Sequence, residues 1–103
     1  MLENLVVIKR DGLESAYNRQ RIQDAIWAAA KSVGGTDENI AIDLAFQVET
    51  LLLKKYFSHN VAPTVEQVQD LVEKVLIENG HAQTAKAYIL YRSRHSEVRD
   101  VQS

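Results

Sequence analysis

The chain has 103 residues and no cysteine. That absence removes disulfides, thiolate metal sites and thiol nucleophiles in one step. The four glycines supply no phosphate loop, because Gly34-Gly35-Thr36-Asp37 lacks the spacing and the lysine of a P-loop and reads as a helix terminator and linker. No apolar run is long enough to span a bilayer, and the N-terminus lacks a basic segment followed by an apolar signal core. A cytoplasmic protein with no membrane partner is therefore expected. The net charge of −2 shows no basic excess of the kind that marks a dedicated nucleic-acid binder, so any bound anion should be small. His59, His81 and His95 show no ligand spacing for a metal on one helix face, and no Ser/His/Asp arrangement can be argued from sequence distance. What is present, 46% hydrophobic and 25% charged residues, fits one ordinary globular domain over 1–103 with a single core.

The most informative stretch is Val6-Val7-Ile8-Lys9-Arg10-Asp11-Gly12, followed by Tyr17-Asn18-Arg19-Gln20-Arg21-Ile22. It sets four basic side chains beside a tight turn and a helix start. Asp11-Gly12 suits a two-residue hairpin turn, which needs positive φ, so a hairpin is expected over about 5–17. Alternation along the first strand places Val7 and Lys9 on one face and Val6, Ile8 and Arg10 on the other, so the two cations should leave in different directions. Asn18 is a preferred N-cap type before a helix whose first turns carry Arg19 and Arg21. Backbone N–H groups at a helix start favour anions, which makes this the outline of an anion site; a solvated basic surface is the competing reading.

Helices are expected at about 19–33, 37–56, 65–79 and 82–99. In the first, Ile22, Ala25, Ile26, Ala29, Ala30 and Val33 form one stripe; Trp27 lies off it, either covering a second packing surface or stacking on a base. The second is apolar on two sides, through Ile40, Leu44, Val48, Leu51 and Leu52 and through Ile42, Ala45, Phe46 and Leu53, the pattern of a helix sandwiched between neighbours. Val61 and Ala62 fit a short edge strand before Pro63, the chain's only proline. Thr64-Val65-Glu66-Gln67 matches a capping box for the third helix, which should stop at Asn79-Gly80. In the last helix Ala85, Tyr88, Ile89 and Tyr91 should face inward before the chain turns basic.

The opening motif, the Glu66-Gln67-Val68-Gln69-Asp70-Leu71-Val72-Glu73 stretch and Ala85-Lys86-Ala87-Tyr88-Ile89-Leu90-Tyr91-Arg92 occur in order over nearly the whole chain. Together they resemble the ATP-cone, the nucleotide-sensing domain of ribonucleotide reductases. The wording is most similar to the N-terminal cones of anaerobic, glycyl-radical ribonucleoside-triphosphate reductases. The resemblance implies an α+β, mainly helical fold: a four-helix bundle covered by a small antiparallel β-hairpin or three-stranded lid. It also implies a regulatory domain rather than an enzyme, since reductase chemistry runs through a cysteine radical that this chain cannot supply. The chain would be the N-terminal piece of a longer polypeptide, with the reductase catalytic domain or subunits as partners.

Carried over by position, the resemblance places ATP or dATP between lid and bundle, with Mg2+ entering through the phosphates. Val7 would lie against the base, Lys9 and Arg10 would reach phosphates, and Asn18 and Arg21 would reach the nucleotide from the helix start. The family often has Lys where Arg21 stands, and commonly an acidic residue where Ser15 stands here, beside Glu14. Thr64, Val65 and Gln69 occupy the region that helps read sugar or base; Gln69 points into the pocket or into solvent. Lys86, Arg92, Arg94 and His95 are candidates to complete the phosphate site. ATP would then favour an active reductase assembly and dATP an inactive one. The rival from another class is a small helical nucleic-acid or protein-interaction module using the hairpin cations and the basic stretch of the last helix.

Overall fold

A computed structural model describes residues 5–102, with side chains as far as 94. Strand β1 (Val6–Ile8) pairs antiparallel with β2 (Glu14–Ala16), in the register Val6 with Ala16, Val7 with Ser15 and Ile8 with Glu14. Helices α1 (Arg19–Ser32), α2 (Glu38–Lys55), α3 (Val65–Glu78) and α4 (Ala82–Gln102) follow, with a 3-10 turn at Phe57–His59. The protein is mainly helical with a small two-stranded sheet.

The hairpin turn differs from the expected two-residue form. The Gly12 N–H donates to the Lys9 carbonyl at 2.8 Å and the Lys9 N–H to the Leu13 carbonyl at 2.8 Å, so Arg10, Asp11 and Gly12 form a three-residue loop. Only Gly12 takes positive φ (86°); Asp11 does not, and its carboxylate instead accepts from the Leu13 N–H at 3.0 Å. This is the three-residue connection in which a left-handed glycine closes a type I-like turn. Arg10 therefore belongs to the turn, and strand alternation no longer decides where it points.

Each helix starts on the residue its local chemistry dictates. Asn18 accepts from the Gln20 N–H at 2.9 Å and Asp37 from the Asn39 N–H at 3.0 Å, each satisfying a backbone donor that a helix start leaves open. Thr64 and Gln67 form a reciprocal capping box. Where α1 gives way to α2, the Gly35 N–H bonds the Ala30 carbonyl at 2.7 Å, an approach so close that a Cβ would sit 2.8 Å from that oxygen.

Each helix packs on its neighbour in sequence, and α4 returns to α1 to close the bundle. The core is built from Ile22, Ile26 and Ala29 of α1; Ala41, Leu44, Ala45, Val48 and Leu52 of α2; Leu71, Val72, Val75 and Leu76 of α3; and Ala85 and Tyr88 of α4. Several expected core positions lie outside it: Ile40, Phe46 and Ile89 are more than two-fifths exposed, and Tyr91 and Val33 are also exposed. Helix α2 is buried through one broad face, so its second apolar stripe is only partly covered. A charged residue that periodicity would assign to solvent, Glu49, is buried there instead.

Among the described residues no third strand forms. The Ile8 N–H donates to the Pro63 carbonyl at 2.9 Å, and Ile8 makes one parallel bridge with Thr64. Pro63 has no N–H to continue a ladder, and the next residue already caps α3, so the contact cannot propagate. Even so, the bridge seats the hairpin on the bundle end where α1 and α3 begin.

Candidate functional site

Between the hairpin and the bundle lies a cavity of about 420 Å³, within the usual range for a small-molecule site. Val7, Lys9, Arg10 and Ser15 line it from the lid; Asn18, Arg21 and Asp24 from the first turns of α1; Val65, Val68 and Gln69 from α3; and Tyr88, Tyr91 and Arg92 from α4. Val7 and Ser15 are cross-strand partners and so share one face of the hairpin. Lys9 and Arg10 both reach the cavity, against the alternation argument, because the turn redirects Arg10.

Of the residues singled out from sequence, Val7, Lys9, Arg10, Asn18, Arg21, Gln69 and Arg92 are brought together here. Thr64 is not among the lining residues: its hydroxyl accepts from the Gln67 N–H at 3.1 Å and its backbone bridges β1, so it holds the wall rather than facing the space. Arg94 and Lys86 are exposed on α4 and also lie outside the lining. The side chain of His95 falls outside the described residues. Trp27 packs against the core with the Lys31 ammonium 5.3 Å from its ring centre, away from the cavity.

The chemistry of the lining is uneven. Arg10 Nε lies 3.1 Å from Glu66 Oε2, and Arg92 Nη1 bonds Asp70 at 3.0 Å and also Glu73. Burial alone would lower the Arg92 pKa, but the hydrogen bonds to Glu73 and Asp70 outweigh it and hold the guanidinium firmly charged. Gln69 Oε1 is buried with no hydrogen-bond partner. An unmet buried acceptor costs about 1–3 kcal/mol, which sets this atom apart from the paired groups around it.

Sequence reasoning missed several contributors, among them Tyr88, Tyr91 and Asp24. Tyr88 and Tyr91 stack at 6.2 Å between ring centres and form part of the cavity wall, whereas their apolar spacing assigned them to packing alone. Their separation of three residues, with Arg92 four after Tyr88, was the available signal for a shared face. Asp24 lines the cavity from α1 and accepts from Gln20 Nε2 at 2.8 Å. Among the described residues no group of three or more His, Asp or Glu is arranged to hold a metal ion. No helix of the described residues is long and apolar enough to cross a membrane.

A lid of two strands over a four-helix bundle, with four cations lining the cavity beneath it, is the geometry of a small anion-binding domain. The ATP cone domain family model matches residues 5–97, and the chain belongs to that family. It is 39% identical over 97 residues to the alpha subunit of ribonucleoside-diphosphate reductase from Treponema pallidum, covering 90% of this chain and 11% of that protein. It is 31% identical over 102 residues to the anaerobic ribonucleoside-triphosphate reductase of Haemophilus influenzae, covering 99% of this chain and 14% of that protein. A vitamin B12-dependent ribonucleoside-diphosphate reductase of Mycobacterium tuberculosis is 36% identical over 93 residues, covering 90% and 13% respectively. The chain thus spans about one-seventh or less of the length of these relatives, and family membership supports a nucleotide-binding, regulatory role.

Proposed function

We propose that the cavity binds ATP or dATP as an allosteric effector and controls the overall activity of a ribonucleotide reductase. One observation carries the reading. Lys9, Arg10, Arg21 and Arg92, drawn from the hairpin and two helices, line one cavity together with Gln69, whose buried side-chain oxygen has no hydrogen-bond partner. Cations from separate elements suit a chain of phosphates, and an orphan acceptor suits an amine or hydroxyl donor on the base or sugar.

In this reading Val7 lies against the base, Lys9 and Arg10 reach phosphates, and Asn18 and Arg21 approach from the start of α1. Gln69 accepts from the adenine amine or a ribose hydroxyl. Mg2+ arriving with the triphosphate takes its ligands largely from phosphates and water. ATP favours an active assembly with the catalytic domain or subunits, and dATP an inactive one. The two effectors differ by a single 2′-hydroxyl, worth about 0.5–1.5 kcal/mol as a net hydrogen bond. Swinging a two-state equilibrium from 1:99 to 99:1 takes about 5.5 kcal/mol. The switch must therefore add differences of pose, of nucleotide number or of subunit contact to that one bond. The domain alone should bind and have nothing to switch.

Calorimetric titration of the purified chain with ATP, dATP, GTP and a short DNA duplex tests this. Adenine-nucleotide binding in the micromolar range, lost in a Lys9→Ala, Arg10→Ala variant, supports it. Absence of heat with every nucleotide would sink it, and steeply salt-dependent duplex binding would replace it with a phosphate-backbone binder.

A further inference from the structure

Two of the cavity's cations, Arg10 and Arg92, are engaged by carboxylates of one helix. Glu66, Asp70 and Glu73 follow one another on α3 at spacings of four and three, which puts them on one helix face. That face holds arginines from two other elements: Arg10 of the hairpin turn through Glu66, and Arg92 of α4 through Asp70 and Glu73. Both arginines also line the cavity.

We propose that this acidic row of α3 is a resident competitor for the nucleotide's phosphates, and that it sets how strongly the site distinguishes a triphosphate from a monophosphate. The proposal rests on the nucleotide reading above. The four lining cations Lys9, Arg10, Arg21 and Arg92 are at least matched by nearby carboxylates, Asp24 in the lining, Glu66, Asp70 and Glu73 on α3, and Asp11 at 4.0 Å from Lys9, so no excess of positive charge gathers to attract an anion from a distance. Binding must come from local exchange. A guanidinium forked toward a carboxylate turns toward a phosphate only as its carboxylate contact weakens. A monophosphate can be held by Lys9 and Arg21, neither of which pairs with the row. The added phosphates of a triphosphate need Arg10 and Arg92, so only the longer ligand competes with α3.

Removing a carboxylate from the row should therefore strengthen ATP binding and leave AMP binding alone. The Arg10 and Glu66 side chains are each about two-fifths exposed, which limits the effect of Glu66→Gln to about two- to fivefold. Arg92 and Glu73 are about four-fifths buried, so Glu73→Gln should act more strongly, on the order of tenfold. Glutamine keeps the size and helix propensity of glutamate, and position 66 lies in the accessible first turn of α3, so the Glu66→Gln chain should fold normally.

The test is calorimetry of ATP and AMP on the parent chain, Glu66→Gln and Glu73→Gln, with the Nε–H resonance of Arg10 followed by NMR in parallel. The expected result is tighter ATP binding in Glu66→Gln with AMP affinity within about twofold of the parent, and an Arg10 resonance that moves on adding ATP to the parent but not AMP. Unchanged or weaker ATP binding in Glu66→Gln, or equal strengthening of both ligands, overturns the competitor role while leaving nucleotide binding intact. A parent chain that binds neither ligand overturns the nucleotide reading itself.

Discussion

The Tyr17 hydroxyl donates a 2.9 Å hydrogen bond to Oε2 of Glu49, tying the exit of the hairpin to the middle of α2 across 32 residues of sequence. Glu49 is only 7% exposed, and Arg19 Nη1 approaches its other oxygen at 3.3 Å while the guanidinium carbon lies 4.0 Å from the centre of the Phe46 ring. The Tyr17 ring also meets Phe57 at 5.3 Å between centres. Because Tyr17 and Asn18 line the cavity, this buried carboxylate holds one rim of the site in place.

Glu49→Ala should destabilise the fold by about 2–3 kcal/mol, since it strands a half-buried hydroxyl and a guanidinium together. The partial exposure of Arg19 keeps the loss at the lower end of the range for buried pairs. Glu49→Gln keeps an acceptor for Tyr17 and should cost about 1 kcal/mol. Urea unfolding of the three proteins measures both, and an alanine variant as stable as the parent would refute the anchoring role.

Alkaline pH should weaken the fold through two tyrosines. Burial raises the Tyr17 pKa well above its usual value, helped by the hydrogen bond to Glu49 and that residue's charge. Burial also raises the Tyr88 pKa, with Arg92 opposing. The folded state thus favours the neutral phenol, while the unfolded chain ionises near pH 10. The contribution is complete below about pH 10 and is lost as pH rises above it, by up to about 1.4 kcal/mol per pH unit per group. Denaturation between about pH 9 and 11.5 should show a shallower decline in Tyr17→Phe and Tyr88→Phe than in the parent, and identical slopes would contradict it.

Gln69→Leu should separate stability from binding. It removes an unmet buried acceptor, so the ligand-free chain should melt at the same temperature or higher. ATP affinity should fall about tenfold, the equivalent of one good hydrogen bond. A clear drop in melting temperature with ATP affinity retained would show that Gln69 serves the fold and not the ligand.

The two tight glycines should respond differently to alanine. At Gly12 an added Cβ meets nothing within 4 Å, so Gly12→Ala should cost only the left-handed backbone penalty of about 1 kcal/mol. At Gly35 the same atom would press on the Ala30 carbonyl at 2.8 Å, which must be relieved by moving the α1–α2 junction. Gly35→Ala should therefore be the more damaging change, and chemical denaturation giving the reverse order would be decisive against it.

Much of the architecture was legible because its signals are local. Asn18 and the Thr64–Gln67 box satisfy donors two or three residues away, and Gly12 takes the positive φ that its place in the turn requires. Helical periodicity likewise named much of the core, from Ile22 and Ile26 to Leu44 and Leu52. It failed at Phe46 and Ile89, which fit an apolar stripe yet remain exposed. The cavity was half legible, since hairpin and helix-start residues are neighbours in the chain, whereas Asp24, Tyr88 and Tyr91 reach it only through the way the helices close.

By itself, the sequence determined the order of elements, their caps and the cluster of cations around Lys9-Arg10, because each depends on groups within a turn or two of one another. Only the tertiary structure decided the rest. It buried Glu49 by bringing Tyr17 and Arg19 to it, turned Arg10 into the cavity to meet Glu66, spent Thr64 on the cap and the β1 bridge, and left Gln69 with an acceptor unmet. The physical reason is that a polar side chain's role is set by its partners and its water, and both are assigned by residues 30 or more positions away in several of these cases.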